Sequence, residues 1–530
     1  MGAYFNPGNE SFKKIVKSQV YVDKTMLLSE TNKLLDTESC CVALSHARRF
    51  GKSQAAGMID AYYSFGSDSR ELFAPYKIAQ EKDFETHLNK YNVIHIDVAS
   101  ASDFNEEDVV ETILKRLVFE FEQEIQEKID YTQPLHLILN DVYRVTDRKF
   151  VIIIDEWDCV VRNQADNQKL VHKYLQFLHS LFKSEEAKSF LALAYITGIL
   201  PIKKIDNESA LNNFREYTMI NSKQFTPYFG FTEDEVKDLC QEYGMNFDSV
   251  KKWYNGYLIN GQHMYNPNSV SQAMTDHSLE SYWKNTSAFG TINNYIQLNF
   301  DGLKEDVMTV LEGGRIEVDT ETFANDLSII NSKDEALTAL IHLGYLAFDA
   351  ERSTVFIPNY EVKAAYQAAL ATGAWHNIAK IISRCDELLW ATIDKDQDRA
   401  AELIELAHET YTSILKYNDE NSLSCVITMA YFTAPAYYNI IRELPSGKGF
   451  ADMVMIPRAD VKNKPAMVIE LKHDKTAETA IKQIKEKNYT GFLKGYSGEV
   501  LLVGITYDES KKHTCVIESV MGGVMKITSV

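Results

Sequence analysis

The sequence lacks the features that would mark a membrane, secreted or zinc-binding protein. No apolar run approaches the ~20 residues that a membrane-spanning helix needs. The first residues, MGAYFNPGNES, contain no basic segment followed by an apolar one. The seven cysteines form no CxxC pair and have no histidine spacing suited to zinc. We therefore expect neither export nor a membrane anchor, and a reducing, cytoplasmic location.

Positive charge is also scarce. The chain has 55 Lys and Arg against 75 Asp and Glu, a net charge of −20, which argues against unspecific coating of nucleic acid because phosphate contacts need cations. The balance reverses between Leu444 and Val500, where ten Lys and Arg stand against seven Asp and Glu. That local excess is an electrostatic indication of a polyanionic partner, although charge runs also occur on ordinary solvated faces.

A phosphate-binding loop is indicated early in the chain. The apolar run Val42–Leu44 is typical of a buried strand, and Gly51–Lys52–Ser53 follows it. Gly51 would let backbone N–H groups approach a phosphate, Lys52 would reach the outer phosphates, and the Ser53 hydroxyl would hold Mg²⁺ at the start of a helix running to about Phe65. The first glycine of the usual signature is missing, since His46 stands there. An ordinary strand–turn–helix remains an alternative.

A second signal is the apolar strand 150–155, which ends in Asp155 and Glu156. Ligands bind at the carboxyl ends of parallel strands, so Asp155 would lie beside the metal held by Ser53, and Glu156 could polarise an attacking water. Thr197, after the strand 190–196, stands where a polar sensor of the γ-phosphate would lie, although Thr-Gly is also a common turn. A strand that ends in solvated acids is the alternative for the whole segment.

The order of elements predicts an α/β fold. A strand at 93–98 and a helix at 106–129 precede the acidic strand, and strands that alternate with helices indicate a parallel sheet. The strand between the phosphate loop and the acidic strand favours a P-loop NTPase with a RecA/AAA-like sheet. We expect this domain at 1–200, a helical lid and winged-helix-like region at 201–375, and a helical connector at 376–418.

The last predicted domain, 419–530, contains a second acidic constellation. Asp452 opens a predicted strand at 451–456, and the strand 466–472 ends in Glu470–Leu471–Lys472. Strand alternation puts Glu470 and Lys472 on one face. Two carboxylates can hold Mg²⁺, and an ammonium beside them can orient water or offset charge on a phosphodiester. Gln483 lies on the predicted helix 476–488, and a chance Glu-Leu-Lys in a strand stays an alternative.

Together, these residues resemble the bacterial and archaeal family that joins an AAA-ATPase-like domain to a C-terminal PD-(D/E)XK nuclease domain, which has a restriction-endonuclease-like α/β fold. The resemblance rests on an ordered series: Tyr21–Thr25, Arg48–Ser53, Ile154–Asp158, Thr197–Gly198, Phe229–Thr232, Trp253–Tyr257, Tyr265–Pro267, Pro358–Val362 and Glu470–Lys472. In that family the loop itself looks like Arg-Arg-Phe-Gly-Lys-Ser, so the missing glycine is expected. The family is linked loosely to mobile elements and phage defence.

The resemblance implies ATP and Mg²⁺ as cofactors and nucleic acid, DNA first, as partner. It implies that Lys52 and Ser53, with Arg49, Phe50 and Gly51, bind nucleotide and Mg²⁺, while Asp155 and Glu156 serve the metal and the water and Thr197 is the sensor. In the nuclease motif it implies Asp452 and Glu470 as metal ligands, Lys472 as the catalytic lysine, Glu420 as the helix acid and Gln483 as an auxiliary.

One departure from the family pattern concerns binding of the substrate. The family often has Gly-Arg before the motif aspartate, whereas this chain has Gly449–Phe450–Ala451–Asp452. We therefore expect an ATP-controlled, Mg²⁺-dependent nuclease, with an ATP-gated sensor that binds nucleic acid or protein without cutting it as the alternative. The sequence leaves a homo-oligomer open.

Overall fold

The computed structural model describes residues 2–101, 108–164, 167–202, 204–205, 208–209, 211–283, 303–311, 313–327, 330–370, 385, 387–415, 427, 430–431, 434, 437–446, 449–458, 461, 464–473, 475–486, 496, 498–507 and 512–521. The chain divides into two compact units, Met1–Ala365 and Tyr366–Val530. Within the described residues, no helix is both long and apolar enough to cross a membrane.

The first half of unit 1 alternates helices with strands. Its helices are α1 (Glu10–Ile15), α2 (Leu27–Asn32), α3 (Lys52–Tyr63), α4 (Arg70–Phe73), α5 (Phe84–His87), α6 (Val98–Ala101), α7 (Val109–Glu124), α8 (Leu135–Thr146), α9 (Cys159–Asn163), α10 (Gln168–Lys183) and α11 (Ala187–Phe190). Its strands are β1 (Cys41–Ser45), β2 (Asn92–Asp97), β3 (Phe150–Asp155), β4 (Leu191–Gly198), β5 (Lys204–Ile205), β6 (Glu208–Ser209) and β7 (Arg215–Thr218). Short 3₁₀ helices cover Lys77–Gln80 and Lys223–Tyr228.

Five of these strands form one parallel sheet in the order β2-β3-β4-β1-β7. Strand β3 is buried along its whole length, as an all-apolar strand covered on both faces should be. Helix α3 packs on one face of the sheet and α7, α8 and α10 on the other. Because β4 lies between β1 and β3, the carboxyl ends of these three strands meet at one edge, and the predicted P-loop sheet is confirmed.

The second half of unit 1 is built from helices and small antiparallel sheets. Its elements are β8 (Phe231–Thr232), α12 (Glu233–Tyr243), α13 (Phe247–Tyr254), β9 (Tyr257–Ile259), β10 (Gln262–Tyr265), α14 (Pro267–Asp276), α15 (Leu303–Leu311), β11 (Ile316–Glu317), α16 (Lys333–Leu343), β12 (Ala347–Asp349), β13 (Thr354–Phe356) and α17 (Tyr360–Leu370), the last of which continues into unit 2. A capping box between Thr232 and Glu235 starts α12, and Gly244 at φ 66° ends it. Helix α16 is followed by the β12–β13 hairpin, an arrangement typical of the winged-helix-like region expected within 201–375.

Unit 2 contains a mixed sheet. Its described elements are α18 (Gln397–Leu415), β14 (Tyr438–Ser446), β15 (Gly449–Pro457), β16 (Ala466–His473), α19 (Ala477–Glu486), β17 (Glu499–Tyr507) and β18 (His513–Met521). The strand order is β14-β15-β16-β17-β18, in which β16 and β17 are parallel and the other pairs antiparallel. Helix α19 connects the two parallel strands and packs its apolar face on them.

Several boundaries differ from the sequence-based expectation. Helix α7 ends at Glu124 rather than at 129, because Ile125 is already extended. Asp452 lies inside β15 rather than opening it, because the strand begins at Gly449 and pairs with β14, which we did not predict. Strand β14 contains Pro445 and charged residues, a composition typical of an edge strand that is hard to recognise from sequence.

Candidate functional site

The turn between β1 and α3 has the geometry of a phosphate-binding loop. The His46 N–H donates to the Gly198 carbonyl at 3.1 Å, which extends the β1–β4 pairing by one residue. Gly51 has φ 90°, a conformation that favours glycine, and a Cβ built on it would meet nothing within 4 Å. The loop therefore has an open backbone surface at the N-terminus of a twelve-residue helix, where an anion is favoured.

Lys52 is buried at the base of this loop. Its Nζ donates to the carbonyls of His46 at 2.7 Å and Ala47 at 2.9 Å. Burial lowers the pKa of Lys52 to about 8, although the nearby carboxylates Asp155, Asp158 and Glu156 act in the opposite direction. The negative charge of a bound phosphate would stabilise the Lys52 ammonium, because burial has removed the water that would otherwise stabilise it.

His46, which stands in place of the missing glycine, is a packed residue. Its ring is fully buried and stacks on Phe229 with ring centroids 4.8 Å apart, and its Nε2 is 2.6 Å from the Ser222 hydroxyl. Burial lowers the pKa of His46 to about 3, so the ring is neutral at physiological pH. The side chain thus anchors the loop to the segment after β7.

The acids that end β3 lie beside the loop. Asp155 is buried, and its Oδ1 accepts hydrogen bonds from the Thr197 hydroxyl and, at 3.1 Å, from the Glu156 N–H. Glu156 adopts φ 53°. Its side chain is 42% exposed, and its Oε2 lies 3.7 Å from Arg162 Nη2. Burial raises the pKa of Glu156, with Arg162 opposing that shift. A strained backbone that turns a partly exposed carboxylate outward is common at functional sites.

A third acid, Asp158, holds the end of β4 in place. Its Oδ2 accepts from the Ile199 N–H at 3.1 Å, the Leu200 N–H at 3.0 Å and Arg162 Nε at 2.8 Å. Asp158 is only 1% exposed. This buried ion pair fixes the chain directly after Thr197 and keeps Arg162 near Glu156.

A cavity of about 840 Å³ opens above these residues. Its lining includes Arg48–Ala55 and Glu156 at the loop end, and residues of α1, of the segment 18–22, of β8 and of α14 elsewhere. The volume is within the range of ~300–1,000 Å³ that small-molecule sites occupy. The predicted loop residues Arg49, Phe50, Gly51, Lys52 and Ser53 all line it.

The loop is also tied to the second half of unit 1. Arg49 has φ 67°, and its Nη1 donates to the Tyr282 carbonyl at 2.7 Å. The Tyr282 N–H in turn donates to Glu361 Oε1 at 2.8 Å. Burial raises the pKa of Glu361 to about 7. The segment Pro358–Val362 therefore contacts the loop through one intermediate residue.

The second constellation lies in unit 2, at the edge where β15 and β16 meet. The register that pairs Met453 with Ile469 brings Asp452 opposite Glu470 one residue further on, and Asp452 Oδ2 accepts from the Leu471 N–H at 2.7 Å. Lys472 Nζ donates to Glu470 Oε1 at 2.9 Å and to the Leu471 carbonyl at 2.9 Å, and Gln483 Nε2 donates to the same Glu470 oxygen. Asp452, Glu470, Lys472 and Gln483 thus form one cluster. Glu420 lies outside the described residues.

The donor chemistry of both places fits Mg²⁺, which prefers oxygen ligands and takes one or two carboxylates. Ser53 and Asp155 would contribute to a site in unit 1, and Asp452 and Glu470 to a site in unit 2. Among the described residues, no group of three or more His, Cys, Asp or Glu side chains is arranged to hold a metal ion. Each candidate site is therefore built around one or two carboxylates.

Two family models match the chain. One, described as a predicted AAA-ATPase, covers residues 7–207, and one of the PD-(D/E)XK nuclease superfamily covers residues 418–517. The chain joins an AAA-ATPase-like domain to a PD-(D/E)XK nuclease superfamily domain. This fusion confirms the resemblance inferred from the sequence motifs.

A protein of Azotobacter chroococcum mcd 1, named as an uncharacterized protein in the vnfD 5' region, is 22% identical over 536 residues, which cover 95% of this chain and 96% of that protein. Two solved structures each align with about two thirds of this chain. They are the Aeropyrum pernix ORC2 protein in ADPNP-ADP complexes (11% identity, TM-score 0.31, 70% of this chain and 100% of that chain) and CDC6P from Pyrobaculum aerophilum (10%, 0.24, 68% and 97%). TM-scores of this size do not establish a shared fold.

Sequence reasoning missed several residues around the first site. Arg162, Asp158 and Glu361 act through burial and pairing, which only the folded chain reveals. A partly buried pair between β2 and α3 was also missed: His95 Nδ1 lies 2.5 Å from Asp60 Oδ2. A polar residue in an otherwise apolar strand was the available signal for His95.

Proposed function

We propose that the fusion binds and hydrolyses ATP in unit 1 and that this cycle controls a Mg²⁺-dependent nuclease in unit 2 that cleaves DNA phosphodiester bonds. The observation that supports it most directly is that Lys52 and Glu156 line one cavity, while Asp155 is buried beside Glu156 and hydrogen-bonded to Thr197. The Asp452–Glu470–Lys472 cluster is its counterpart in unit 2. A role in defence or mobile-element biology belongs to this proposal through the family resemblance alone.

In unit 1, each residue has a role that its surroundings permit. The backbone around Gly51 and the Lys52 ammonium bind the phosphates, while Ser53 and Asp155 would hold Mg²⁺, which when bound offsets phosphate charge. Thr197 orients Asp155 through its hydroxyl, and Glu156 accepts a hydrogen bond from the water that attacks the γ-phosphate. The partial exposure of Glu156 and its position in the cavity lining suit that role.

In unit 2, the acids and the lysine divide the work. Asp452 and Glu470 would hold Mg²⁺, which supplies Lewis-acid activation when bound. The Lys472 ammonium, 2.9 Å from Glu470, orients water and stabilises negative charge on the phosphodiester, and Gln483 fixes Glu470. The local excess of Lys and Arg between 444 and 500 favours approach of a nucleic acid.

The ATPase half is tested with Lys52→Ala. We expect this variant to lose ATP binding in calorimetry, because it removes the cation that faces the phosphates. Lys188→Ala is the matched control, since Lys188 is 73% exposed and pairs with Glu185 on the surface. Unchanged ATP affinity in Lys52→Ala would contradict the proposal for unit 1.

The nuclease half is tested on linear and circular DNA with Mg²⁺, with and without ATP. We expect Asp452→Ala to abolish cleavage and to retain ATP binding, while the exposed Asp398→Ala behaves as wild type. Cleavage by Asp452→Ala at the wild-type rate would refute the assignment.

A second candidate function, ATP-gated binding of nucleic acid or protein without cleavage, is favoured by one observation. Phe450 stands where the family often has an arginine, which removes a phosphate contact next to Asp452. DNA retention that depends on ATP, in the absence of any Mg²⁺-dependent cleavage by the wild-type protein, would select this candidate.

A further inference from the structure

The cavity extends well beyond the phosphate loop, and one wall of it is a single face of α14. Asn268, Ser271, Gln272, Thr275 and Asp276 all line the cavity. Their spacing of three and four residues puts them on one side of the helix. The other side, with Val270, Ala273 and Met274, is buried in a separate apolar core. Beyond Pro267 at its first position, the helix therefore presents only polar residues to the cavity.

Helix α14 starts at the phosphate loop and leads away from it. The Asn266 side chain caps the helix by accepting from the N–H groups of Asn268 and Ser269, and its Nδ2 donates to the Arg48 carbonyl at 3.3 Å. Ten residues of helix span about 15 Å. Asp276 lies at the opposite end of the helix from the Asn266 cap, and its Oδ2 accepts from the Tyr282 hydroxyl at 3.4 Å.

The side-chain amide of Asn268 has an unsatisfied hydrogen-bond donor among the described residues. Its Nδ2 is buried and has no hydrogen-bond partner among the residues that the structure describes. A buried donor without a partner costs free energy of about 1–3 kcal/mol, so a turn of the Asn268 amide that brings Nδ2 to an acceptor on a ligand is favoured. Because Asn268 lines the cavity one turn before Gln272, the acceptor would belong to a molecule that continues along α14.

The charge of this face argues against further phosphate binding. Its five residues include no Lys or Arg, and Asp276 would repel a phosphate. Amides, hydroxyls and one carboxylate suit the hydroxyls and ring edges of a nucleoside. Phe12, Ile15 and Met58, elsewhere in the lining, offer apolar surface for a planar ring.

We propose that the polar face of α14 binds the nucleoside part of the nucleotide, with Asn268 and Gln272 as the residues that make the site select a nucleoside triphosphate over a bare polyphosphate. This inference rests on the proposed function, because it takes the phosphate loop as the site of the triphosphate. Asn268 and Gln272 are binding residues here and take no part in hydrolysis.

The test compares ATP with inorganic tripolyphosphate, which lacks the nucleoside, by calorimetry on the full chain with Mg²⁺. We expect Gln272→Ala and Asn268→Ala each to bind ATP about fivefold to tenfold more weakly, the effect of losing one or two hydrogen bonds, and to bind tripolyphosphate as wild type does. Gln241→Ala is the matched control, since Gln241 is an exposed glutamine on α12 outside the cavity lining.

Each outcome has a separate meaning. ATP affinity that is unchanged in both variants, or an equal loss for ATP and tripolyphosphate, would overturn the inference about α14. Tripolyphosphate binding by the variants also shows that they are folded. If Lys52→Ala leaves the affinities for both ligands unchanged, the proposed phosphate site itself fails, whatever the α14 variants do.

Discussion

The partly buried pair Asp60–His95 gives a prediction about stability and pH. Asp60 lies on α3, two turns after Ser53, and His95 lies on β2. Both side chains interact electrostatically with Asp155, so the pair lies close to the acid that ends β3. The perturbation is His95→Gln, which keeps an amide donor for Asp60 and removes the positive charge.

The magnitude follows from the pKa of His95. Burial by itself would lower this pKa, but the Asp60 charge and hydrogen bond outweigh burial and raise the pKa from 6.5 to about 9. This rise in pKa, at about 1.4 kcal/mol per pKa unit, corresponds to about 3.5 kcal/mol. Because the folded-state pKa is raised, this stability is fully present below pH 6.5 and is lost as the pH rises through about 9. Burial also raises the pKa of Asp60, so this value is an upper bound.

The assay is urea-dependent hydrogen exchange of peptides that cover α3 and β2, analysed between pH 6 and 9.5 after correction for intrinsic exchange rates. We expect the free energy of unfolding of wild type to exceed that of His95→Gln by up to about 3.5 kcal/mol at pH 6 and by little at pH 9.5. His263→Gln, at an exposed histidine, should match wild type throughout. A difference between wild type and His95→Gln that does not change with pH would refute the reasoning.

Three further predictions concern the edge of the parallel sheet. Gly51→Ala should weaken ATP binding about tenfold in calorimetry, because φ 90° costs a residue with a Cβ about 1–2 kcal/mol even where no atom lies within 4 Å; equal affinity would contradict this. Arg162→Leu should lower the free energy of unfolding by about 3–5 kcal/mol in urea titrations, because it leaves the Asp158 charge buried; a loss below 1 kcal/mol would be inconsistent with the pairing. Thr197→Val should lower the ATP turnover rate at least tenfold with little change in the dissociation constant, because only the hydroxyl that orients Asp155 is removed.

The sequence contained the fold of the first half of unit 1 because its strands are continuous apolar runs. Strand β3 was predicted with its observed bounds, since a run of five apolar residues between polar ones has few alternatives. Strand β14 was not predicted, because an edge strand pairs on one side only and tolerates charges and proline. Strand β14 forms by pairing with β15, and no pattern within its own sequence indicates that pairing.

The candidate sites divide in the same way. Residues whose chemistry is exposed in a motif, such as Lys52, Asp155 and Glu470, could be named from the sequence. Residues that act through burial could not. Asp158 and Arg162 are only four residues apart, but the sequence does not show that their ion pair is buried and binds the chain after β4. Burial, which the sequence does not show either, keeps His46 neutral. The α14 face could be predicted in part. The spacing of its polar residues is visible in the sequence, but the cavity that they line is not.

Both candidate sites hold their acids by donors from the adjacent strand or the next residue. In unit 1 the Thr197 hydroxyl on β4 and the Glu156 N–H bind Asp155, and in unit 2 the Leu471 N–H on β16 binds Asp452. Such contacts fix a carboxylate before any ligand arrives, so less ordering is required when a cation binds. The same contacts make the strand ends rigid. In unit 1 the backbone at Glu156 is also strained, with φ 53°. Glu156 lines the cavity, and backbone strain there is accounted for if Glu156 must face a water beside bound nucleotide.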